Sequence, residues 1–97
     1  MRVYKLSKQA EQDLIAIWDY TVEQWGEPQA ETYLQAIQAA IRLLVDNPEL
    51  GTSRESLRSG YRSYCQGKHV IFYRPHSYGV RVIRVLHQRM ECDRHLV

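Results

Sequence analysis

The side chains best suited to chemistry stand together near the C-terminus, in Arg84-Val85-Leu86-His87-Gln88-Arg89-Met90-Glu91-Cys92-Asp93-Arg94. This segment continues the apolar, β-branched run Val80-Arg81-Val82-Ile83, so a strand would carry a histidine and several guanidinium groups off its end. Phosphodiester cleavage through a neighbouring 2′-hydroxyl needs a general base, cations to stabilise the phosphorane charge and an acid for the leaving oxygen. His87 could serve as base or acid, with Arg81, Arg84 and Arg89 as charge stabilisers. The set is incomplete: no tyrosine follows the last apolar run, and Lys68 is the only lysine in the second half. A structural hydrogen-bonding role for His87 is favoured, and no catalytic residue is assigned.

Metal chemistry has weaker support. His87, Cys92 and His95 include a Cys-x-x-His spacing, but three loosely spaced donors without a second paired motif read as scatter. No metal and no cofactor are expected. Glycine-rich phosphate loops, Gly-x-Ser-x-Gly elbows and His-Glu-x-x-His pairs are missing, which removes the common nucleotide, acyl-transfer and zinc-protease readings. Two cysteines, Cys65 and Cys92, suggest no disulfide framework and are compatible with a reducing compartment.

Charge is divided unevenly along the chain. Residues 1–53 carry Arg2, Lys5, Lys8 and Arg42 against eight acids, whereas residues 54–97 carry nine Lys or Arg against Glu55, Glu91 and Asp93. Solvated helix faces explain such asymmetry as well as a basic interaction surface does. The arginines at 54, 58, 62, 74, 81, 84, 89 and 94, interleaved with Tyr61, Tyr64 and Tyr73, could bind nucleic acid by stacking and phosphate contact. Guanidinium forks with so little accompanying lysine pair bidentately with carboxylates equally well, and an acidic protein partner fits better.

The elements that must position these groups follow from periodicity. Residues 3–6 suit a short strand, and Ser7 suits a helix cap. Ala10, Leu14, Ile17, Trp18, Thr21 and Trp25 recur at helical spacing over residues 8–25, and Gly26 ends that helix. Pro28 suits the first turn of a second helix, whose stripe is Ala30, Tyr33, Leu34, Ile37, Ile41, Leu44 and Val45 until Asn47-Pro48. The short link makes these helices an antiparallel hairpin, with Trp18, Trp25 and Tyr33 read as core. A polar linker at 51–56 leads to strands at 61–66, 69–74 and 80–87, joined by a Gly67-Lys68 turn and a longer loop at 75–79. The last strand is apolar at Val80, Val82 and Leu86 on one face and at Ile83 and Val85 on the other, which asks for cover on both faces. One hairpin covers one face, so the other is a candidate docking groove. The expected fold is a single α+β domain over residues 1–97, in which the helical hairpin packs on an antiparallel sheet and the strand order is open. No run is long and apolar enough for a membrane span, and a cytoplasmic protein is expected.

The C-terminal motif, together with Gly60-Tyr61-Arg62 and His69-Val70-Ile71-Phe72-Tyr73-Arg74, resembles the ParE toxins of bacterial toxin–antitoxin modules, a branch of the ParE/RelE superfamily. Asp13-Leu14-Ile15-Ala16-Ile17-Trp18, Trp25-Gly26 and Gln29-Ala30-Glu31-Thr32-Tyr33 extend the resemblance over nearly the whole chain. It implies a ParE/RelE-like fold and a toxin that inhibits DNA gyrase by binding rather than turnover. It also implies neutralisation by a ParD-type ribbon-helix-helix antitoxin in a hetero-oligomer, with DNA met only indirectly through that antitoxin. Antitoxin binding is expected at Arg58, Tyr61, Arg62 and Arg84, and target binding at His87, Arg89, Met90 and Arg94. The alternatives are a RelE-like ribosome-dependent messenger-RNA endoribonuclease and a non-toxic module that co-represses transcription with its antitoxin.

Overall fold

Ser7 both stops the first strand and starts the first helix. In the computed structural model, which describes residues 2–89, its side-chain oxygen accepts the Ala10 N–H at 3.0 Å, satisfying one of the donors that a first helical turn leaves free. The order is β1 (Val3–Leu6), α1 (Lys8–Trp25), α2 (Glu27–Asp46), β2 (Thr52–Ser53), β3 (Arg62–Gln66), β4 (His69–His76) and β5 (Gly79–His87). Gly26 closes α1 by donating its N–H to the Val22 carbonyl and also caps α2, with Pro28 in the first turn of that helix. Among the described residues no helix is long and apolar enough to cross a membrane.

The strands form one five-stranded sheet in the order β1-β5-β4-β3-β2. The expected meander β3-β4-β5 is there, and β1 adds to it in parallel beside β5. That pairing sets Val3 against Gly79, where a β-carbon would overlap the Val3 carbonyl oxygen and where φ is +141°. Only glycine fits there.

The expected loop at 75–79 is a two-residue turn at Ser77-Tyr78, because Pro75 and His76 extend β4 opposite Val80 and Gly79. Two further differences from the expected strands have physical causes. The polar linker contains β2, because Thr52 and Ser53 pair with Ser63 and Arg62. Long-range side-chain bonds hold the chain there: the buried Tyr73 hydroxyl donates to the Pro48 carbonyl at 2.7 Å and accepts the Gly51 N–H at 2.9 Å. Arg62 adds donors to the Gly51 and Glu49 carbonyls. The second difference is a β-bulge in β5. Phe72 pairs with Arg84 but Tyr73 with Val82, so Ile83 has no partner and the alternation slips by one residue. Val80, Val82 and Val85 therefore all join the main core with Ile37, Ile41, Leu44, Ile71 and Tyr73. Leu86, expected beside Val80 and Val82, lies in a second cluster with Tyr61 and Phe72, against which Leu57, Val70 and Ile83 pack. The far face is thus part-covered by the chain around Leu57 and Tyr61.

Gly79→Ala should destabilise the protein by about 2–3 kcal/mol through backbone strain and loss of the β1 pairing. Urea unfolding of the variant checks this, and a midpoint equal to the parent's would refute the close-approach argument.

Candidate functional site

β1 ends at Leu6 opposite Val82, leaving the edge of β5 open from Ile83 onward. The start of α1 closes it. The Ser7 hydroxyl donates to the Ile83 carbonyl at 2.6 Å, and the Asp13 carboxylate accepts the Val85 N–H at 3.0 Å. The same carboxylate takes both arms of Arg84, Nε at 2.7 Å and Nη2 at 2.8 Å. Both side chains are mostly withdrawn from water, 19% and 14% exposed, so this fork is a stronger contact than a surface pair. The hydrogen bond to Asp13 raises the Arg84 pKa, and the guanidinium stays charged.

A second group lies farther along the sheet. His69 pairs directly with His87 across β4 and β5, and their rings meet edge-on at 5.4 Å. The Tyr33 hydroxyl from α2 sits 2.6 Å from His69 Nδ1 and accepts the Lys68 N–H at 3.1 Å. A neutral His69 carrying its proton on Nε2 lets the hydroxyl donate to Nδ1 while it accepts the Lys68 N–H. Burial lowers the His69 pKa and the neighbouring His87 lowers it further, against a smaller opposite pull from Asp13. The Tyr33 ring reaches this position across Gly67, where a β-carbon would meet its hydroxyl at 2.8 Å. On the far side of the pair, His87 Nδ1 accepts the Arg89 N–H at 3.1 Å.

The expected site residues therefore fall into separate places. Arg84 reaches Asp13 at the β5 edge, His87 belongs to the His69–Tyr33 group, and Arg62 clips the backbone after α2. Tyr61 is buried in the second cluster and Arg58 is exposed on the turn before it. Arg89 follows β5 and is exposed, while Met90 and Arg94 lie outside the described residues. Asp13 and His69 were not assigned a binding or catalytic role from sequence, and Tyr33 was read only as core. A carboxylate sixty or more positions from its partner gives no local signal. Among the described residues no group of three or more His, Cys, Asp or Glu side chains is arranged to hold a metal.

The tryptophans correct the expectation of core. Trp25 is 71% exposed and Trp18 36%, beside Ile15 at 61%. Ala10, Leu14, Ile17 and Thr21 form the inward arc of α1, and at 100° per residue Ile15, Trp18, Val22 and Trp25 fall on its flank. The helix thus presents an apolar stripe next to its buried face. Tyr33 packs on the core as expected, with its hydroxyl engaged.

A helical hairpin laid on one face of this sheet defines a small α+β fold shared with two solved bacterial chains. One solved as "Chromosomal ParDE TA system from P. aeruginosa" superposes with a TM-score of 0.74 at 24% identity, covering 90% of this chain and 96% of that one. Another, from the E. coli DinJ–YafQ complex, superposes at 0.61 and 15% identity, covering 91% and 94%. In sequence, residues 4–92 match the model of the ParE toxin of type II toxin–antitoxin systems, parDE. The chain is 46% identical to Toxin ParE1 of Caulobacter vibrioides, over 99% of each protein, and 46% identical to Toxin ParE1 of Mycobacterium tuberculosis over 96% of each. The chain belongs to the ParE toxin family of type II toxin–antitoxin systems.

Two outcomes follow from the geometry. Asp13→Asn should lower stability by about 1–3 kcal/mol, because it weakens the fork while leaving Arg84 partly withdrawn from water. An Asp13→Ala/Arg84→Ala double-mutant cycle in urea should show strong coupling; simple additivity would refute the edge-sealing role. The second concerns pH. Unfolding frees His69 to protonate near its ordinary value of 6.5, whereas the folded form resists the proton. Stability contributed by the neutral ring is therefore complete above that value and declines as pH falls below it. His69→Gln should flatten this part of the stability–pH curve, and parallel curves for parent and variant would refute it.

Proposed function

We propose that this chain inhibits DNA gyrase by binding it, without enzymatic turnover, and is neutralised by a ParD-type ribbon-helix-helix antitoxin in a hetero-oligomer. The observation that carries this reading is membership of the ParE family along nearly the full chain. The geometry around His87 favours binding over ribonuclease chemistry. Arg84, a candidate cation for a transition state, forks onto Asp13, and His87 already accepts a backbone N–H.

The antitoxin contact is proposed at Arg58, Tyr61, Arg62 and Arg84, joined by the apolar flank of α1 around Ile15, Trp18 and Trp25. An exposed apolar stripe of this kind is costly in a free monomer and marks partner surfaces. Because Arg62 and Arg84 also hold backbone and helix in place, charge reversal there reads stability together with contact. Arg58, being exposed, reads contact alone. Target binding is proposed at His87, Arg89, Met90 and Arg94.

Purified protein should block supercoiling by DNA gyrase and leave ribosome-bound messenger RNA uncut. Codon-specific cleavage that disappears with His87→Ala would establish the RelE-like alternative instead. Removing residues 90–97 should give a folded chain that keeps antitoxin affinity and inhibits gyrase poorly. Full inhibition by the shortened chain would refute a target-binding role for that segment, and loss of its thermal transition would make the segment structural.

A further inference from the structure

Three cations stand side by side on the sheet face opposite the hairpin. Lys5 of β1 pairs with Arg81 of β5, and Arg81 pairs with Arg74 of β4. Paired residues on neighbouring strands project to the same face, and strands lie about 4.8 Å apart. Like charges set directly opposite one another destabilise a sheet. None of the three is in an ion pair with a carboxylate of the described residues. Glu55, which lines a neighbouring cleft with Arg74, is not in an ion pair with it.

Flat rings lie beside the row. Lys5 Nζ sits 4.7 Å from the Tyr78 ring centroid, and Tyr78 stacks on His76 with centroids 5.0 Å apart and planes 13° from parallel. His76 is exposed, so the stack meets solvent. Together with Tyr61 and Ile83 these groups line an open cleft of about 520 Å³.

We propose that this cleft binds a single-stranded nucleic acid, with phosphates against Lys5, Arg74 and Arg81 and a base against the His76–Tyr78 stack. Cations alone would suit an acidic polypeptide as well. The stacked rings decide between them, because a base offers a π-face of matching shape and a carboxylate does not. A duplex suits the cleft less, since its bases are already stacked and turned inward. The proposal revises the expectation that nucleic acid is met only through an antitoxin, and it does not depend on the gyrase reading.

Fluorescence anisotropy of the full chain tests it, using a short labelled DNA strand, the RNA of the same sequence, the corresponding duplex, and polyglutamate. A single strand should bind best, and comparing DNA with RNA identifies the preferred sugar. Arg74→Ala/Arg81→Ala should weaken binding by on the order of tenfold and lower the salt slope by about 0.7 per lost phosphate contact. The corresponding double lysine variant should restore most of the affinity, and Arg42→Ala on α2 should change nothing. His76→Ala should weaken the single strand and leave its salt slope intact. Circular dichroism confirms that each variant is folded. Unchanged binding by the double alanine variant, or duplex or polyglutamate bound as tightly as the single strand, would overturn the proposal.

Discussion

β5 is longer than the strand that covers it, and the rest of the fold depends on how its open edge is closed. An uncovered run of N–H and C=O groups next to the core would invite another chain to pair with it. Here the cover is α1. One carboxylate, Asp13, takes the Val85 N–H that β1 is too short to reach and the guanidinium of the preceding residue. Ser7 caps the helix with its oxygen and donates its proton to Ile83. Two side chains thereby fix the helix start against the strand edge, and the placement of the hairpin on the sheet follows from that fixed point.

The bulge at Ile83 works with this seal. Without the slip, Val85 would turn away from the hairpin and Leu86 toward it, so each would leave the cluster it now fills. The slip also turns Arg84 out of simple alternation at the position where Asp13 can reach it. A bulge strengthens local twist and re-aims side chains, and both effects are used at once: the apolar alternation is repaired toward the core, and a cation is delivered to the edge.

What the sequence made legible is what short-range chemistry decides. Ser7, Gly26, Pro28 and Asn47 bound the helices because caps and breakers act within a few residues, and Gly67 marked a turn for the same reason. The parallel placement of β1, the two-residue strand β2 and the bulge were not legible, because each depends on partners far along the chain. Tyr73, for example, orders the segment after α2 through Pro48 and Gly51. For the candidate site the division is similar. Arg84 and His87 stood out by type and position near a strand end, whereas Asp13 and Tyr33 looked like ordinary helix residues. Trp18 and Trp25 misled because aromatic residues at near-helical spacing suggest burial, while the exact angle decides between inward face and flank.

The two sheet faces end up with opposite tensions. Toward the hairpin, aliphatic side chains and Tyr73 are withdrawn from water, the buried polar side chains are hydrogen-bonded, and local preference agrees with the global fold. Toward the other face, Lys5, Arg81 and Arg74 are held in direct opposition beside a smaller apolar cluster. A surface shaped by stability alone would intersperse the two signs of charge, since cross-strand opposite charges stabilise and like charges do the reverse. Rules of this kind are broken where a site requires it and the remainder of the fold supplies the stability. The sealed edge and the well-filled hairpin face supply the stability against which the other face can hold Lys5, Arg81 and Arg74 side by side.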